Sequence, residues 1–249
     1  MNIAALTIAF REVKTIGAIV KNSRDYVDQH LVLISEKSWV GQEEPDDGTA
    51  KAAEQEGAET ITGIWETQHN QINFGLELLK SYDWVLIQDA DELYTREDFK
   101  RMKEFLETAD CDAYMPEEVR TYWKTTDYVC QYHEGGFTVL VRPTVKFIRL
   151  RGHNAQNIGL APITMHHLSY VRTNKELNTK LNCTALERVG GVDVATPEQI
   201  KEEREKLAQW KREKWDKWSE EVTNLHPINP EEYPKAAYDP LPLELKELL

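Results

Sequence analysis

The sequence predicts an α/β protein: a mostly parallel sheet flanked by helices, with a helical C-terminal extension. Three observations predict it. Strand-like apolar runs alternate with helically spaced apolar residues four times over about the first hundred residues, the pattern of βαβ units. The run Trp84-Val85-Leu86-Ile87 reads as a buried strand, and Gln88-Asp89-Ala90-Asp91-Glu92 follows, with three carboxylates where the strand should end. No Gly/Ser-rich or Pro-rich linker interrupts residues 1 to 190. That stretch therefore reads as one domain, with residues 191 to 249 as an appended long helix and Pro-rich tail.

In chain order, Ile3 to Phe10 is a first strand and Val13, Ile16, Ile19 and Val20 mark a helix. A second strand, Val27 to Ile34, ends at Ser35-Glu36. A short helix over Thr49 to Glu56 precedes a third strand, Glu59 to Trp65. From about Thr67, the residues Ile72, Leu76 and Leu79 recur at helical spacing, leading into the acidic strand. Thr95 then opens a helix with Asp98 three residues on and Phe99, Met102 and Leu106 along one face, a capping-box start. This is a Rossmann-like half without G-x-G-x-x-G and without a P-loop lysine, so a phosphate would have to be held by something other than a glycine-rich turn.

After residue 110 shorter, partly antiparallel strands are expected, then a polar helix over roughly residues 174 to 189. Thr196-Pro197-Glu198-Gln199 starts a helix that runs to about Thr223, with Leu207, Trp210, Trp218, Val222 and Leu225 near one face. This stripe packs on the main domain or on a second subunit, so a homo-oligomer through the C-terminal helix is an expectation. Residues 227 to 249 hold five of the ten prolines and read as an extended strap or a partly disordered tail.

Composition narrows the partners. The 249 residues carry a formal charge of −13, which disfavours a protein whose main task is gripping nucleic acid or an anionic membrane. Arg142, Lys146, Arg149 and Arg151 form one local basic run. Cys111, Cys130 and Cys183 are widely spaced with no C-x-x-C, so neither a zinc site nor a disulfide framework is indicated. The N-terminal apolar run is too short for a signal peptide and no stretch approaches a membrane span, so a cytoplasmic protein is expected. Asp89 and Asp91 lie two apart, and both reach one hard divalent cation if the chain turns there. Mg²⁺ or Mn²⁺ accepts one or two carboxylates and fills its other positions with phosphate oxygens and water.

The strand ends at Arg11-Glu12 and Ser35-Glu36, the Asn-containing helix start and W-V-L-I-Q-D-A-D-E together resemble the GT-A fold of family-2-type glycosyltransferases. Gln68-His69-Asn70 is similar to that family's Gln-Arg-Asn helix start. His166-His167-Leu168-Ser169-Tyr170, with Glu176 and Lys180, is similar to the H-x-S-Y…E…K stretch of the bacterial lipopolysaccharide-core sugar transferases. The resemblance covers roughly residues 1 to 190. It implies a Mn²⁺ or Mg²⁺ ion held by Asp91, by Asp89 and by a late histidine, His167 with His166 as its neighbouring competitor. It further implies a UDP- or GDP-linked sugar donor contacted by Arg11, Glu36, Asn70, Asp89 and Lys180. Glu117 and Glu118, after Pro116, are the candidate bases for the acceptor hydroxyl, with inversion at the anomeric carbon. A glycan, a small molecule or a protein is the expected acceptor, and modified DNA ranks below these. Two other classes stay open: a nucleotidyltransferase-like enzyme, although Ala9-Phe10-Arg11-Glu12 lacks the glycines of its first loop, and a non-catalytic sugar-binding or assembly module on a decayed transferase fold.

Overall fold

A computed structural model describes residues 1–39, 43–133, 137–149, 151–173, 176 and 237–249. Four parallel strands form the centre: β1 (Ile3–Ala9), β2 (Gln29–Ser35), β3 (Glu59–Gly63) and β4 (Trp84–Ile87). They lie in the order β4-β1-β2-β3. Both faces are covered, which is why β1 and β4 are apolar runs without alternation. On one face Leu6, Leu31, Leu33 and Val85 pack on Ile72 and Leu76 of α3 (Gln68–Leu78). On the other, Val32 and Ile34 meet Ile16 and Val20 of α1 (Ile16–Ser23) and Ala53 of α2 (Thr49–Gln55). Helix α3 rides close on the sheet because Gly75 lacks a side chain. A Cβ there would fall 2.5 Å from a Leu6 methyl carbon. Helix α4 (Arg96–Leu106) starts with the expected capping box: the Thr95 hydroxyl accepts from the Asp98 N–H, and the Asp98 carboxylate accepts from the Thr95 N–H.

The second half extends this sheet. β5 (Glu92–Leu93), β6 (Ala113–Trp123), β7 (Tyr128–His133), β8 (Leu140–Val141) and β11 (Ile158–Tyr170) join it, while β9 (Phe147–Arg149) and β10 (Gly152–His153) make a separate hairpin. β8 pairs antiparallel with both β4 and β6 and so links the two halves. These strands are partly antiparallel, as expected: β6 pairs antiparallel with β7 and β8 but parallel with β11, and β6 and β11 are long rather than short. Their register slips between Ala161 and Thr164, where Pro162 has no N–H to give the ladder.

The end of the chain departs from the expected separate unit over residues 191 to 249. β12 (Ala237–Tyr238) pairs antiparallel with β7, and a short helix α5 (Leu243–Lys246) follows. Leu241 and Leu245 are buried with Ile19, Leu93, Tyr122, Val129 and Leu168, inside the core of the main domain. Lys246 pairs with Asp127 at 2.5 Å and Glu244 with Arg96 at 3.4 Å. The helices expected over residues 174 to 189 and 196 to 223 lie outside the described residues. Among those described, no helix is long and apolar enough to cross a membrane.

Two core histidines are neutral by burial. The His30 ring sits between the Thr7 and Ser23 hydroxyls, at 2.8 and 2.9 Å, and burial pushes its pKa down to about 3. His166 lies 3.0 Å from the Tyr122 hydroxyl, and burial lowers it to about 4. The unfolded chain binds the extra protons, so stability is full above pH ~6.5 and falls as pH drops toward these values, by up to ~1.4 kcal/mol per pH unit for each histidine. Urea titrations at pH 7 and pH 5 test this: His30→Gln should lose about 2 kcal/mol less than wild type between the two. The docked tail is tested by Leu245→Ala, expected to cost about 2–4 kcal/mol in the same measurement.

Candidate functional site

The chain runs from β1 outward to β2 and β3, then crosses back to β4 on the other side of β1. Strand order therefore reverses between β1 and β4, and an open sheet leaves a crevice at the carboxyl ends of such a pair. Leu6 of β1 is level with Ile87 of β4, so Phe10-Arg11-Glu12 and Asp89-Ala90-Asp91 emerge together. They border a cleft of about 570 Å³.

Four carboxylates converge here, and two arginines compensate them. Arg172 holds Glu12 through both terminal nitrogens, at 2.9 and 3.0 Å, and reaches Asp91 Oδ2 at 3.2 Å. Arg151 holds Asp89 Oδ2 at 2.8 Å and Glu92 at 3.2 Å. Asp91, Glu92 and Arg151 are all buried, and a buried charge without a partner costs several kcal/mol. One cation shared by two carboxylates leaves one negative charge over. The fully buried Glu92 absorbs it: burial pushes its pKa up to about 7 in spite of Arg151, while the guanidinium itself stays charged.

The antiparallel pairing of β5 with β11 sets His167 opposite Glu92, and the Leu168 N–H donates to the Asp91 carbonyl at 2.7 Å. Strand alternation then sends the neighbouring histidines to opposite faces. His167 lines the cleft with Nε2 3.5 Å from Asp91 Oδ1, and His166 turns into the core against Tyr122.

These residues fit a hard divalent cation. The Asp91–His167 spacing suits two neighbouring ligands of one ion, and the second Asp89 oxygen, Oδ1, is buried with no hydrogen-bond partner among the described residues. Among the described residues no three His, Cys, Asp or Glu side chains enclose an ion by themselves. Any ion would therefore be completed by phosphate and water oxygens, the habit of Mg²⁺ and Mn²⁺.

No family model matches the chain, and no curated protein matches it. Solved structures do. Staphylococcus aureus TarS (residues 1–349, in complex with UDP-GlcNAc) is 12% identical, with 87% of this chain and 74% of that one covered and a TM-score of 0.45. Glucosyl-3-phosphoglycerate synthase from Mycobacterium tuberculosis (in complex with Mg²⁺ and UDP) is 18% identical, with a TM-score of 0.36. There 49% of this chain is covered, and the chain spans 43% of the synthase's length.

Of the residues expected from sequence, Asp89, Asp91, His167 and Arg11 come together at the cleft. Arg11 has left-handed backbone, with φ 57°, and its guanidinium donates to the carbonyls of Glu36 and Glu44. Glu36 thus contributes its carbonyl there, while its side chain is exposed. Asn70 is a correction. It is exposed on the outer face of α3, where its N–H donates to the Thr67 hydroxyl, and Gln68 of the same turn lines the cleft instead. Glu117 and Glu118 do not line this cleft either. Glu117 is exposed, and Glu118 is bound by Arg120 at 3.1 Å and by the Thr164 hydroxyl at 3.3 Å. Lys180 lies outside the described residues. The basic run does not form one face either: Arg151 is buried, and Arg142 stacks 3.8 Å over the Trp84 ring at the other end of β4.

Glu12, Arg151 and Arg172 carry no functional role in the sequence reading. The signal that points to them is a buried strand ending in three carboxylates, which obliges distant cations to come in. Arg151→Met, which leaves Asp89 and Glu92 without their cation, should cost about 3–5 kcal/mol at pH 8 by urea unfolding. The cost should shrink at pH 5.5, where Glu92 takes up a proton.

Proposed function

We propose that this protein is a metal-dependent glycosyltransferase that moves a sugar from a nucleoside-diphosphate sugar to an acceptor hydroxyl, with inversion. The observation that carries the reading is the meeting of Asp91 and His167, 3.5 Å apart, at the mouth of the switch-point cleft. The sequence resemblance to family-2-type transferases points the same way, and its lipopolysaccharide-core branch makes a glycan the first acceptor to try. TarS and the synthase, whose structures hold UDP-GlcNAc and UDP, suggest a uridine donor.

Breaking a glycosidic bond to a diphosphate requires that the charge growing on the leaving oxygens be neutralised where it develops. Asp91 and His167 would hold Mn²⁺ or Mg²⁺, with the Asp89 Oδ1 oxygen reaching it through water. Such an ion supplies Lewis-acid stabilisation of the leaving diphosphate when bound. Arg172 and Arg151 hold the other oxygens of Asp91 and Asp89 at the edge of the cleft. Arg11 is pinned by two carbonyls and lies against Phe10, with its ring 5.2 Å away. Together with Trp39 across the cleft, this gives an apolar and cationic wall for the nucleoside. Trp39 is itself oriented by donating to Gln71 Oε1 at 3.0 Å.

Calorimetric titration of UDP and GDP, with and without Mn²⁺, tests the reading. One of the two should bind only with Mn²⁺, and Asp91→Ala should abolish that binding. If no nucleoside diphosphate binds with Mn²⁺ present, the transferase reading fails.

A further inference from the structure

Arg172 sits on Asp91 Oδ2, the carboxylate oxygen other than the one that faces His167. Its Nε donates to the Ser169 carbonyl at 3.2 Å, and its two terminal nitrogens donate to the Glu12 carboxylate. One of those nitrogens also donates to Asp91 Oδ2 at 3.2 Å, the longest of its carboxylate contacts. The guanidinium is therefore anchored by three bonds that do not involve Asp91, and it can yield the aspartate by giving up a single contact. A divalent cation on Asp91 would sit beside this fixed positive charge, and charges a few ångströms apart in a partly buried site repel strongly.

We propose that Arg172 is a built-in competitor for the ion at Asp91. It neutralises the aspartate while the cleft is empty, so the ion alone binds weakly. The ion is then held well only when it arrives with the negative diphosphate of the donor. Glu12 is the anchor that keeps the arginine in place through the exchange. The inference rests on the metal reading above and adds an order of binding to it. Arg172 acts through Asp91 and is in this sense a positioning residue.

The test is a titration of Mn²⁺ alone, with no nucleotide, followed by electron paramagnetic resonance on the full chain. Arg172→Gln should lower the Kd for Mn²⁺ at least about tenfold relative to wild type, because it removes a like charge a few ångströms from the ion. Adding Asp91→Ala to that variant should return the protein to weak binding. Arg172→Lys keeps a charge but cannot hold Glu12 and Asp91 in one planar fork, so a smaller rise in affinity is expected. If Arg172→Gln does not fold, the lysine variant decides. An affinity equal to or below wild type in the folded variant overturns the competitor role. If nucleoside diphosphate and Mn²⁺ still bind together through Asp91, the transferase reading survives that failure. Tight Mn²⁺ binding that persists without Asp91 overturns both.

Discussion

Compensation of buried carboxylates is the constraint on which this structure turns. Glu12, Asp89, Asp91 and Glu92 meet at the ends of two neighbouring parallel strands, and the cations that balance them come from far along the chain. Arg151 lies between β9 and β10 and Arg172 follows shortly after β11. The second half of the chain therefore completes the first electrostatically as well as covering it. Breaking either pairing would strand charge at a cost of several kcal/mol, against a total stability of about 5–15 kcal/mol for a domain.

The same geometry explains why the site lies where it does. Parallel strands align their carboxyl ends, and the reversal of order between β1 and β4 keeps a crossover from covering the gap. β5 then turns back from Asp91 to pair with β11, and a two-residue ladder is enough to bring a histidine to the aspartate. A slip of one residue in that ladder would bring His166 or Leu168 to the place opposite Glu92 that His167 holds, and Leu168 would leave the cleft without an imidazole.

Much of this was legible in the sequence and some was not, for identifiable reasons. Strands buried on both faces have a plain signature, and the acidic end of β4 stands out because a solvated loop needs no apolar run before it. The choice between His166 and His167 depends on register, which two adjacent identical residues cannot reveal. Asn70 and Gln68 share one turn but face nearly opposite ways, and it is Gln68 that faces inward. Arg151 read as surface charge beside Arg142 and Arg149, because only its placement next to Glu92 shows that it is buried. Glu118 is taken up by Arg120 and Thr164, contacts that exist only once β6 and β11 are paired. The docking of residues 237 to 249 left almost no trace, since the buried Leu241 and Leu245 stand beside leucines such as Leu243 and Leu249 that stay exposed.

That docked end has a consequence for how the protein is made. Leu241 and Leu245 pack on Leu93 and Leu168, the residues next to Glu92 and His167 on the two strands that bring the histidine to the aspartate. During synthesis the β1–β4 sheet can form early, but the brace behind the site leaves the ribosome only after residue 245. Contacts this distant in sequence are slow to close. A nascent chain thus carries its acidic strand end well before the site is fully supported, and completion of the cleft should lag well behind the folding of the first four strands.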